Sequence, residues 1–166
     1  MQSAPYGPLS RHAVLARARF WVDQQVHYFT EDGQAPEHAL DPDGRPYRTD
    51  CSGYVCMAWR AESQPDTSEF DELGSEISRD ALLPGDALLW KGAGGYGPQG
   101  GHVLLFGRWA DPSRSSYLGY ELAGGRYARA LTMPYPYRDG DTRYVPWRYR
   151  DLTDEDVIEH PSYLEQ

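Results

Sequence analysis

Apolar positions along the chain change period part-way, and the change separates a helical first part from a stranded second part. Leu15, Ala18, Val22, Val26 and Phe29 recur at three- and four-residue spacing, which predicts a core helix capped by Ser10 and running to about Tyr28. Cys51, Val55 and Ala58 repeat that spacing with Trp59 beside them, and Asp50 or Thr49 stands where an N-cap belongs. A second, buried helix therefore follows residue 50. From Leu82 onward the pattern is that of strands. Leu82-Leu83-Pro84-Gly85-Asp86 makes a turn into a strand at 87–90, and further strands are expected at 102–109, 117–123, 127–133 and 144–149. Short polar turns between consecutive strands predict an antiparallel meander, so the fold class is α+β with N-terminal helices packed on a β-meander.

The remaining segments are irregular. Residues 1–9 form a loose arm. Residues 30–47, with turn signals at Glu31-Asp32-Gly33 and Asp41-Pro42-Asp43-Gly44, make a long loop leading to the cysteine, either one wall of a groove or a solvated insertion. Residues 61–80 are acidic with weak helical character, Met133 to Tyr137 is proline-interrupted and suits an edge or groove rim, and residues 151–166 form an acidic tail. A chain of 166 residues suits a single domain, here 1–166.

The net charge of -9, with no basic stripe, argues against nucleic acid or an anionic membrane surface as a partner. No apolar run reaches the ~18 residues of a membrane span. Met1 to Ser10 lacks the features of a secretory signal, so the expected location is cytoplasmic, or secreted and wall-associated if a signal has been removed. Cys51 and Cys56, five apart on one helix, are expected to be free thiols, and neither they nor the histidines have the spacing of a metal site; no cofactor is expected. Gly92, Gly94 and Gly97 match a dinucleotide fingerprint formally. Pro98 and a strand follow instead of a helix, which excludes nucleotide binding.

Candidate chemistry gathers around Cys51. A cysteine in the first turn of a helix sits at the positive end of the helix dipole, which favours thiolate over thiol. Cys56 points elsewhere and reads as a core residue. His102 opens a strand directly after a glycine-rich loop, so its ring can face a groove and act as base toward Cys51, whereas His12 and His27 read as surface or groove-edge residues. Glu121 is the candidate to orient His102. Counting back from the turn puts it opposite about Phe106, so a bulge or a long reach is needed. Asp86 and Gln99 are its rivals.

Asp50-Cys51-Ser52-Gly53-Tyr54-Val55, then Leu83-Pro84-Gly85-Asp86-Ala87-Leu88-Leu89, then Gly101-His102-Val103-Leu104-Leu105-Phe106-Gly107 resemble, in order and spacing, the NlpC family of bacterial cell-wall cysteine peptidases. The resemblance covers about residues 10–133. It implies a papain-like fold and hydrolysis of amide bonds in peptidoglycan stem peptides, often between D-glutamate and a diamino acid, with a stem peptide or muropeptide as partner. It further implies that Asp50 and Ser52 help to recognise the free amino end of the peptide, and that Tyr28 lines the oxyanion side with the Cys51 amide. Two positions depart from the family pattern: Glu121 stands where His, Asn or Gln is usual, and Phe29-Thr30 replace a glycine pair. Two other activities remain open, a thioester-forming acyltransferase or amidase acting on a small metabolite, and a catalytically inactive domain that binds wall peptides.

Overall fold

The computed structural model describes residues 6–94 and 99–154. Ahead of the first helix, Leu9–Ser10 forms a short strand, β1, so the end of the expected loose arm is fixed. Helix α1 (Arg11–Asp23) begins where the Ser10 hydroxyl accepts the Ala13 amide at 3.0 Å, satisfying a first-turn donor that has no intrahelical partner. Its buried stripe is Val14, Ala18 and Trp21 with Arg11 and Arg17, rotated from the expected one, and Leu15 and Val22 lie at its margin. The helix stops short of Tyr28. Gln25 takes a left-handed φ of 53°, and Val26 and Tyr28 then bond in extended fashion to Ala128 and Arg126. Tertiary pairing has overridden a helical pattern there.

The segment expected as one long loop contains a hairpin, β2 (His38–Leu40) and β3 (Pro46–Arg48), closed by a turn over Asp41-Pro42-Asp43-Gly44. Asp41 is buried and fixes the turn, accepting the amides of Asp43 and Arg45 and an ion pair from Arg17 at 2.6 Å. Helix α2 (Cys51–Trp59) follows at once, and every residue in it except Cys51 is buried. Asp50 caps it through the Gly53 amide at 2.7 Å. Gly53 is required by space: a Cβ there would lie 2.0 Å from the Arg48 carbonyl oxygen. Arg60, at a left-handed φ of 55°, ends the helix.

Residues 61–80 hold short 3-10 turns and a strand that the polar sequence conceals, β4 (Gly74–Glu76). The strands β5 (Ala87–Trp90), β6 (His102–Trp109), β7 (Ser116–Glu121), β8 (Arg129–Pro134) and β9 (Val145–Tyr149) join it in a six-stranded antiparallel sheet of order β4-β9-β5-β6-β7-β8. The expected meander is β5 to β8, and β9 returns to pair with β5 on the other side. Helices α1 and α2 cover one face, over Ala87, Leu89, Val103 and Leu105. The opposite face carries Leu88, Leu104, Phe106, Tyr117 and Met133 under an aromatic layer. Burial on both faces explains why β6 reads as an unbroken apolar run.

The start of the presumed acidic tail is docked as well. The last strand, β10 (Leu152–Thr153), runs parallel to β1, and Asp154 pairs with Arg11 at 2.5 Å. Residues 155–166 lie outside the described part. Among the described residues no helix is long and apolar enough to cross a membrane.

Candidate active site

Helix α2 and strand β6 pack together, and their N-terminal ends bring Cys51 and His102 close enough for the sulfur to act on the imidazole. Nε2 of His102 is 2.8 Å from Oε2 of Glu121, which leaves Nδ1 for the thiol. The three candidates thus form one chain, sulfur to imidazole to carboxylate. Cys51 is partly exposed, while Cys56 is buried and both thiols are free. Burial pushes the Cys56 thiol far up, as befits a core residue.

Glu121 reaches His102 because of a bulge. The β6–β7 register pairs Trp109 with Tyr117 but Phe106 with Gly119, so one extra residue of β6 is absorbed around Gly107. Without it Glu121 would stand opposite Leu105, on the face away from His102. With it, Leu105 pairs with Tyr120 and Glu121 falls beside Leu104, on the same face as His102. The sequence count of a position near Phe106 is corrected by two residues.

The carboxylate is fully buried and held by four groups. Tyr137 donates its hydroxyl to Oε2, Arg138 pairs with Oε1 at 3.2 Å, and Arg129 lies 3.7 Å from Oε1. The Tyr137 and Tyr144 rings stack at 4.1 Å and both meet the imidazole edge-on, walling it from solvent. Burial alone would depress the His102 pKa, but the hydrogen bonds and charges of Cys51 and Glu121 overcome it and lift the value to about 9. Burial likewise works against ionisation of Glu121, yet the His102 contact, the Tyr137 hydroxyl and Arg138 hold its pKa down to about 2. The imidazole is therefore an imidazolium at neutral pH.

A pH dependence of stability follows. His102, raised from 6.5 to about 9, contributes stability that is complete below 6.5 and is lost as pH rises through 9. Glu121, lowered from 4.5 to about 2, contributes stability present above 4.5 and lost as pH falls through 2. Thermal unfolding is expected to be most resistant between those limits with respect to this pair, with the melting temperature falling between pH 6.5 and 9; a melting temperature that rises steadily across that interval would contradict the pairing.

A cleft of about 320 Å³ opens beside Cys51, lined by Tyr28, Arg48, Asp50, Ser52, Gln64 and Glu69 among others. Tyr28 is held by its amide on the Arg126 carbonyl and by stacking on Phe29 at 5.4 Å. Thr67 ties the glycine-rich loop to this wall. Its hydroxyl lies 2.9 Å from both the Lys91 and Gly100 carbonyls, fixing the two ends of the loop just ahead of His102. Residues 30–39 contribute instead to a second cavity with His27 and Tyr127, so that loop is not a wall of this cleft.

Asp86 is excluded as the orienting residue. It is buried between Arg11 at 3.0 Å and Arg148 at 2.8 Å and accepts the Leu83 amide, a structural knot at the turn. Gln99 borders residues outside the described part, and its backbone carbonyl accepts the Ala93 amide. His12 and His27 lie apart from Cys51, on the surface of α1 and in the segment after it. Sequence reasoning did not find Arg48, Thr67, Tyr137 or Arg138. No periodicity marks them, because each acts through tertiary contact.

Among the described residues, no group of three or more His, Cys, Asp and Glu side chains is arranged to hold a metal ion. Comparison with protein-family models and with curated proteins gave no match to this chain.

Proposed function

We propose that this protein is a cysteine peptidase of papain-like architecture that hydrolyses amide bonds in peptidoglycan stem peptides. The observation that carries the reading is the buried relay from Cys51 through His102 to Glu121, with an imidazolium facing a sulfur at a helix N-terminus. The three sequence motifs resembling NlpC peptidases support the substrate class, as does a cleft directly beside the sulfur.

In this reaction the Cys51 thiolate attacks the amide carbonyl, and the Cys51 N–H in the first turn of α2 donates to the developing oxyanion. As the C–N bond breaks, His102 passes its proton to the departing amine and a thioester remains. Neutral His102 then removes a proton from water, the hydroxide attacks the thioester, and the C–S bond breaks to restore thiolate and imidazolium. Glu121 keeps the ring oriented and charged through both halves. The amide between D-glutamate and a diamino acid is the bond proposed to be cut.

Because the active form needs protonated His102, activity should hold up to about pH 9 and decline above it. The decisive experiment incubates the protein with purified cell wall and muropeptides, with and without an added amine, and identifies products by mass spectrometry. Free carboxylic acid and free amine products are expected. Amide products formed with the added amine would instead indicate acyl transfer, and unchanged substrate beside a Cys51 no more reactive to iodoacetamide at mildly acidic pH than an ordinary thiol would indicate a binding domain.

A further inference from the structure

On the helix side of the sheet, next to the bulge, lies a cavity of about 340 Å³ that shares no lining residue with the cleft at Cys51. One wall is a stripe of α1, since His12, Leu15, Ala16 and Arg19 stand at positions i, i+3, i+4 and i+7 and so fall on one face of the helix. The other wall is Gly107 and Arg108 of β6 with Leu118 and Tyr120 of β7. The bulge decides which side chain stands there. Phe106 pairs with Gly119, but beyond Gly107 it is Arg108 that pairs with Leu118, and directly opposed residues project to one face, here the face packed against the helical core. Arg108 therefore points toward α1. From the helix, Nη2 of Arg19 donates to the Tyr120 hydroxyl at 2.8 Å, with the guanidinium 5.5 Å from the centre of that ring.

The charge of this cavity is opposite to that of the chain. The chain carries a net charge of -9, and its buried Arg11 and Arg17 each meet a carboxylate, at 3.0 and 2.6 Å. The cavity is lined by two guanidiniums and an imidazole and, among the described residues, by no acid. Neither Arg19 nor Arg108 is ion-paired among the described residues, and Nε of Arg108 is buried with no hydrogen-bond partner. A buried charged donor without an acceptor is costly, so this atom calls for a partner of complementary charge.

We propose that this cavity is a binding site for a small organic oxyanion, a carboxylate or phosphate group carried on a short apolar body. A guanidinium presents N–H donors in a planar fork that matches two oxygens of either group, and Arg108 and Arg19 supply two such forks. Leu15, Ala16 and Leu118 give the body of the ligand an apolar wall, and the volume is that of a small-molecule site. An inorganic anion would leave those walls uncovered, and a neutral molecule would not answer the charge. The two cavities have no residue in common, so this site stands whether or not the hydrolase reading does.

The test adds hexanoate, hexyl phosphate, hexanamide or inorganic phosphate to the full chain at low ionic strength and follows the arginine Nε–H signals by NMR. Hexanoate or hexyl phosphate, whichever head group the site takes, is expected to bind about tenfold or more tighter than hexanamide and than inorganic phosphate, and to move the Arg19 and Arg108 signals. Arg108→Met keeps the apolar stem and removes the unpartnered donor, so it should weaken that binding about tenfold or more without lowering the melting temperature of the free protein. Arg19→Gln changes an exposed residue and can still donate to Tyr120, and it should weaken binding to a similar degree. Should Arg108→Met melt early, Arg19→Gln decides. Hexanamide binding as tightly as the anions would leave an apolar cavity only, and inorganic phosphate matching hexyl phosphate would leave an unspecific basic patch. Either result, no binding at all, or tight binding that survives either substitution in a folded protein would overturn the proposal.

Discussion

Cys51→Ala is expected to reduce amide hydrolysis by about 10⁴-fold or more, because among the described residues no other thiol lines the cleft to form the thioester. The fold should survive the change. Cys51 is the one residue of α2 that is not buried, the cap from Asp50 to the Gly53 amide does not involve the sulfur, and alanine is the best helix former. Urea unfolding should therefore give a midpoint close to that of the unmodified protein. The substitution should also lower the His102 pKa, since the contact with Cys51 is a leading upward influence on it. Titration of the imidazole by NMR would record that fall together with the lost activity. Hydrolysis at an undiminished rate would remove the sulfur from the mechanism.

Glu121→Gln is expected to do more widespread damage. The side chain keeps its shape, but a buried acceptor of four groups becomes neutral and acquires donors that face other donors. Removing one partner of a buried charge pair costs about 3–5 kcal/mol. Arg129 and Arg138, at 34% and 43% side-chain exposure, can rehydrate and add little to that figure, so the loss arises mainly at His102. Loss of the orienting carboxylate should lower kcat/KM by about 10²–10⁴-fold. The high-pH limb of the rate profile, set near 9 by His102, should shift to lower pH as its stabilising partner is lost. Thermal melts and a pH–rate profile of the variant separate the two effects. A variant that melts early yet keeps the original limb would make Glu121 a structural residue only.

The cysteine helix could be read from the sequence because its determinants are local: a capping aspartate, a tight glycine and apolar positions within ten residues. His102 could be read for a similar reason, as the first residue of a strand after glycines. The sheet from β5 to β8 also announced itself through turns and apolar runs. Strand β4 did not, since Gly74-Ser75-Glu76 has no strand-forming side chain; glycine is there because a Cβ would lie 1.9 Å from the Arg148 carbonyl oxygen. The end of α1 was obscured by Val26 and Phe29, which continue the helical spacing while pairing elsewhere. Tyr137 and Arg138 follow a proline-interrupted stretch with no period at all, and reach Glu121 only once β8 has returned along the sheet. The hydrogen bonds of Arg48 combine neighbours two and four residues along, Asp50 and Ser52, with Gln64, a distance at which ordinary pairing rules are silent.

The extra residue near Gly107 makes the chemistry depend on parity. Strand side chains alternate, so whether an acid or an apolar group confronts the imidazole is decided by an odd or even count between two pairing points. Regular pairing through Gly107, with no bulge, would leave both cysteine and histidine in place and hand the ring a neighbour that cannot hold its proton. A site assembled this way depends on strand register as much as on its own side chains, and its off state lies a one-residue slip of the β6–β7 pairing away.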